Sequence, residues 1–146
     1  MKSRTRARGL ALQVLYEVDM AKHPPVEVYQ SRLEETPLSE ELAEFARQIV
    51  FGVLPRIDDL DQLIAKYAPE WPLDQVAAID LNILRMAFWE FAVQRDTPIK
   101  VAINEAVELA KMFGSDSAPR FVNGVLGSLA EHRDEIRQRV IKLESK

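Results

Sequence analysis

The chain has 146 residues, enough for one domain with a sizeable hydrophobic core. Its apolar content of 47% and charged content of 29% are those of a soluble globular protein. A net charge of −4 excludes a surface that is basic throughout, so any nucleic-acid site must be a local patch. With no cysteine, disulfides and thiol catalysis are excluded, and a reducing compartment fits. No signal-peptide pattern is present and no stretch reaches the ~18 apolar residues that cross a bilayer, so the expected location is the cytoplasm.

Residues 1–8, MKSRTRAR, carry four basic side chains and no acid. Helical spacing then takes over: Ala7, Leu10, Ala11, Val14 and Val18 share one side, and Leu12 and Tyr16 another. A helix apolar on two sides is packed on two sides. His23-Pro24-Pro25 ends it, because the residue before a proline is pushed out of the α region. A short helix over 26–33 follows, then an acidic link in which Ser39 is the expected cap. Leu42, Phe45, Ala46, Ile49, Val50 and Val53 form the next stripe. Pro55 kinks or restarts that helix, and Ile57 to Tyr67 continue the pattern to Pro69. The acidic run at 58–61 reads as a solvated face, with metal binding the weaker alternative.

After a Glu70-Trp71-Pro72 turn comes the most apolar segment, predicted as one helix over 73–94 with neighbours on several faces. Asp80, Arg85 and Glu90 interrupt it, and buried charges need partners. Thr97 and Pro98 then suit a helix start, with Ile99, Ala102, Ile103, Ala106, Ala110 and Phe113 as its buried stripe. Gly114 is the expected left-handed stop, and Ser115, Asp116 or Ser117 the cap of a further helix. In that helix Phe121, Val122, Val125, Leu126 and Leu129 are apolar. Gly124 and Gly127 suggest the close approach of another backbone. A charged segment over 132–146 closes the chain. The expected fold is all-α: one compact domain, 1–146, of six to eight helices.

Catalytic chemistry finds little support. The two histidines, His23 and His132, lie far apart and form no paired-histidine metal face. Glu105 and Glu108, beside Lys100 and Lys111, read as a surface ion network. No phosphate-binding glycine loop and no nucleophile elbow are present, so no metal, cofactor or enzymatic activity is expected. A binding role has three supports, each with a plainer reading. Arg4, Arg6 and Arg8 are either a solubilising tail or a phosphate contact. Tyr16 and Phe121 are either core or stacking platforms, whereas Tyr67, beside Trp71 at a helix end, is expected to reach solvent. Lys111 and Arg120, flanking a helix junction with Phe121 beside them, are either surface cations or a place for a nucleic-acid strand.

Three segments carry a family resemblance: RTRARGLALQVLYEVD, AAIDLNILRMAFWEF, and VAINEAVELAKMFG followed by FVNGVLG. Together they resemble, in order from about Arg4 to Leu129, the NusB family of bacterial transcription antitermination factors. The resemblance implies two small three-helix bundles without catalytic activity. It implies pairing with the small-subunit ribosomal protein NusE, and joint binding of boxA in nascent ribosomal or phage RNA, which keeps RNA polymerase elongating. Carried onto matching positions, Arg4, Arg6, Arg8, Lys111, Arg120 and the Phe121 region would touch RNA. Tyr16 and Tyr67 would be candidates for stacking. Asp80, Arg85 and Glu90 would lie at or near the protein partner. The basic start is sparser than in many relatives, which implies low RNA affinity for the free protein. The family's members are either monomers or homodimers. The same helical module resembles the N-terminal part of an RNA cytosine methyltransferase, which needs a catalytic cysteine that this chain lacks. The remaining alternative is a helical adaptor or dimerisation domain that never touches nucleic acid.

Overall fold

A computed structural model describes residues 2–145; Met1, at the tip of the basic arm, and Lys146, at the end of the charged C-terminal segment, lie outside the described residues. The described residues are helical, with no strand among them. The chain divides into two compact units, Met1–Pro55 and Arg56–Lys146.

The first unit is a three-helix bundle of α1 (Ser3–Ala21), α2 (Pro25–Glu35) and α3 (Glu40–Val53). Helix α1 packs on both others, as its two apolar sides require: Ala7, Leu10, Ala11, Leu12, Val14 and Leu15 are all buried. Helix α2 opens on Pro25, whose missing N–H is no loss in a first turn. The Ser39 hydroxyl caps α3 by accepting from the Leu42 N–H at 3.3 Å. Tyr29 ties α2 to α3, donating to the Ala43 carbonyl at 2.7 Å while its ring meets Phe51 edge-on.

The second unit holds α4 (Ile57–Tyr67), α5 (Ala78–Phe88), α6 (Ile99–Phe113), α7 (Ala118–Glu131) and α8 (Arg133–Glu144). Pro55 sits in a 3-10 turn, Leu54–Arg56, which restarts the helical path as α4. Helices α5, α6 and α7 pack mutually as a second three-helix bundle, and α4 and α8 lie against it. The 73–94 segment is not one helix. A 3-10 turn at Leu73–Gln75 is followed by extended backbone at Val76, and α5 begins only at Ala78. Its C-terminal end widens into a π-helix, Trp89–Gln94. Arg95, left-handed at φ 68°, closes that turn by donating its N–H to the Glu90 carbonyl at 2.9 Å.

Two further expectations are corrected, and the charged end of the chain gains a shape. Thr97 does not cap α6; its hydroxyl instead donates to the buried Glu90 carboxylate at 3.2 Å, which needs a donor more. Gly114 is extended rather than left-handed, at φ −94° and ψ −178°. The charged C-terminal segment is helix α8, which buries Ile136 and Val140.

The π-helix and α5 are enclosed, with Ile83, Leu84, Phe88 and Phe91 fully buried and the two phenyl rings stacked at 5.4 Å. Phe88→Ala should cost about 3–5 kcal/mol by opening a cavity. Urea denaturation would show it, and a loss below ~1 kcal/mol would mean that this helix is not the core of its unit.

Candidate nucleic-acid interface

In the first unit the basic arm is not loose: α1 begins at Ser3, so Arg4, Arg6 and Arg8 are helical. Arg4 and Arg6 are exposed, whereas Arg8 is buried. The guanidinium carbons of Arg4 and Arg8, one helical turn apart, lie 4.8 Å and 5.0 Å from the centre of the Phe45 ring on α3. Further along α1, Tyr16 is exposed, and Met20, one turn on, more so. Between them Glu17 accepts from Arg32 at 3.0 Å and lies 2.9 Å from His23 Nδ1. The His23 contact and then that of Arg32 hold its carboxyl below the usual glutamate value.

In the second unit the α6–α7 junction carries Lys111, Arg120 and Phe121. Lys111 is exposed and reaches Glu108 at 3.3 Å, and Arg120 is exposed with no such partner among the described residues. Phe121 is half-buried, its ring edge-on to Trp71 at 6.4 Å. Trp71 also covers Gly124, where an added Cβ would lie 3.3 Å from the indole. At Gly124, then, the closely approaching group is a side chain rather than a backbone. Gly127 has open space instead.

Tyr67 does not reach solvent; it is only 6% exposed. The His132 ring lies tilted beside it at 5.2 Å, and Arg139 donates to its hydroxyl at 2.6 Å. Burial, above all, holds its phenol above the ordinary value. The end of α4 looked open in the sequence because nothing there showed α8 folding over it.

Asp80, Arg85 and Glu90 are also buried. Arg85 forms a two-point pair with Asp61, at 2.7 Å and 2.8 Å, and donates to Asn82 at 3.2 Å. Glu90 is held by Thr97. Their charges are thus engaged within the unit, as a low-dielectric setting demands. Asp80 differs: its Oδ1 is buried with no hydrogen-bond partner among the described residues. It lies against Gly114, where an added Cβ would fall 2.9 Å from it, 2.5 Å from Ala118 Cβ and 3.0 Å from the Ala110 carbonyl. Only glycine fits between α5, the end of α6 and the start of α7.

No group of three or more histidine or acidic residues among the described residues is placed to hold a metal ion. No described helix is long and apolar enough to cross a membrane.

The NusB family model matches residues 5–131. The chain belongs to the NusB family. It is 48% identical to the transcription antitermination protein NusB of Dehalococcoides mccartyi over 129 residues, covering 88% of this chain and 90% of that one. Against the NusB of Roseiflexus castenholzii it is 46% identical over 134 residues, covering 90% and 94%. Among solved structures, a chain from a crystal structure of a plectonemic RNA supercoil matches with a TM-score of 0.82 at 27% identity, covering 90% of this chain and 96% of that one. A chain from a crystal structure of the antitermination factors NusB and NusE in complex with double-stranded RNA matches with a TM-score of 0.78 at 26% identity, covering 95% and 98%. The family is one of transcription antitermination proteins, not of enzymes. All of α8 lies beyond the matched residues, so the helix whose Arg139 meets Tyr67 is outside the family model.

Burial pushes the Asp80 carboxyl above the ordinary aspartate value of 3.8. The folded chain therefore binds this proton more tightly than the unfolded one, and Asp80 lowers stability as pH rises through that range. Asp80→Asn should melt above the parent at pH 7, and the gap should close below the ordinary value of 3.8. A lower melting temperature at pH 7 would show that the ionised carboxylate has a stabilising partner.

Proposed function

We propose that this chain is a cytoplasmic antitermination factor that binds boxA-type single-stranded RNA together with NusE, and so sustains RNA polymerase on ribosomal RNA operons. The observation that carries the reading is how the arginines are committed. Arg32, Arg47, Arg56, Arg85, Arg133, Arg137 and Arg139 each meet a carboxylate, a carbonyl or a hydroxyl of the chain itself. Among the described residues, Arg4, Arg6, Arg95 and Arg120 have no such acceptor. Three of those four lie in the segments where RNA contact is expected, on α1 and at the α6–α7 junction. The related structures that contain RNA, one of them with NusE as well, support the same partners.

In this reading Arg4, Arg6, Lys111 and Arg120 neutralise phosphates, with Arg8 supporting Arg4 from behind. Phe121 and Tyr16 offer ring faces to unstacked bases. Tyr67, covered by α8, takes no base. NusE meets the start of α5 around Asp80, and Arg85 and Glu90 shape that surface from beneath.

Fluorescence anisotropy of a boxA RNA, with NusE present, is the direct assay. For about three to five phosphates, log K should fall with log salt at a slope of roughly −2 to −3.5. Replacing Arg4, Arg6 and Arg8 by alanine should flatten the slope and weaken all RNAs alike, because phosphate contacts carry no sequence information. Phe121→Ala should lose about 1–3 kcal/mol of binding with the slope unchanged. Wild-type affinity and slope in the triple arginine variant would make the α1 arginines a mere tail and place the RNA site elsewhere, whereas no RNA binding by the parent chain with NusE would leave the adaptor reading in its place.

A further inference from the structure

The stack at the start of α1 assigns a role to a residue that apolar periodicity places simply in the core. Arg4 and Arg8 are four apart on one helix, a spacing at which like charges repel. Both guanidinium groups nevertheless gather on one ring, Phe45, at 4.8 Å and 5.0 Å from its centre. The negative face of an aromatic ring attracts a cation at such distances. A guanidinium held by its face keeps its N–H edge available for a phosphate. The two arginines are not equivalent: Arg8 is buried, and Arg4 is exposed. Beside them lies a cleft of about 260 Å³ whose lining includes Arg4, Leu42, Phe45 and Gln48. Glu41 and Glu44 also line it, and Glu44 is engaged by Arg47 at 2.8 Å.

We propose that Phe45 is the positioning residue of the N-terminal phosphate contact, holding Arg4 and Arg8 on one ring so that Arg4 is pre-ordered to meet RNA. The proposal rests on the reading that the α1 arginines touch RNA. Its physical content is entropic: a long side chain already fixed on a ring loses less freedom when it binds. Arg8 contributes by filling the buried side of the stack.

The test uses the full chain with NusE and a boxA RNA, measured by anisotropy across a salt series. Phe45→Leu removes the ring's charge distribution while retaining an apolar side chain, and Phe45→Tyr restores the ring. Phe45→Leu should weaken binding about two- to fivefold, the scale of one exposed cation–π contact. Phe45→Tyr should bind as the parent does. In an Arg4→Ala background Phe45→Leu should add nothing further, which separates positioning from a general loss of structure. Proton NMR should show the Arg4 side-chain methylenes shifted upfield by the ring current in the parent and not in Phe45→Leu. Should Phe45→Leu destabilise the bundle, Phe45→Met serves in the same cycle.

Equal affinity of Phe45→Leu and the parent, with Arg4→Ala still weakened, would overturn the proposal and leave the RNA reading intact. So would a loss in Phe45→Leu that persists undiminished in the Arg4→Ala background. Parent-like binding in Arg4→Ala and Arg6→Ala would instead sink the reading that the α1 arginines touch RNA, on which the proposal rests.

Discussion

Everything proposed for this chain depends on where a limited stock of positive charge is left facing outward. With a net charge of −4, the long-range field repels a polyanion, and attraction has to come from cations within about a Debye length of the phosphates. The fold consumes most of its guanidinium groups internally. Arg85 pairs with Asp61 and Arg137 donates to the Phe91 carbonyl, while Arg139 is bound to Tyr67. Such groups are planar and multi-donor, which suits them to buried polar acceptors. Those left uncommitted therefore mark the surface better than a count of basic residues along the sequence does.

The second constraint is the contact among α5, α6 and α7. Gly114 lies between Ala118 and the Asp80 carboxylate at a separation that admits no side chain. The path from α6 into α7, and hence the placement of Lys111, Arg120 and Phe121, follows from the absence of a Cβ. The Asp80 oxygen buried at that point has no compensating donor among the described residues. It is a local cost borne by a helix that also buries Ile83, Leu84 and Phe88. Apolar burial, a missing side chain and one unsatisfied carboxylate thus meet where the core adjoins the candidate RNA junction.

Much of this was legible in the residues. Periodic apolar spacing marked the helices of both bundles, and Ser39, Pro25 and Pro55 act as their residue types dictate. The extended backbone at Val76 was not legible, because apolar residues continue through it at helical spacing. Gly114 was read by its freedom to turn left-handed, when the fold uses its lack of bulk. Phe45 fell in a stripe with Leu42 and Ala46, and periodicity does not say that two guanidinium groups cover its ring. Tyr67 was expected in solvent because Ile136 and Val140, the signal for α8, sit among so many charges. Sequence pattern reports which face of a helix is apolar; it does not report which later helix covers an end.

The most direct test of the central claim, that RNA is held by α1 and the α6–α7 junction, is to map contacts without mutating anything. Backbone amide NMR shifts of the isotope-labelled chain would be followed during titration with a boxA RNA in the presence of NusE, against a control titration with NusE alone. The account predicts RNA-dependent shifts concentrated at residues 3–16 and 111–121. Shifts confined to α4 and α8, where Lys66, Arg139 and Lys142 line a separate cleft, would contradict it.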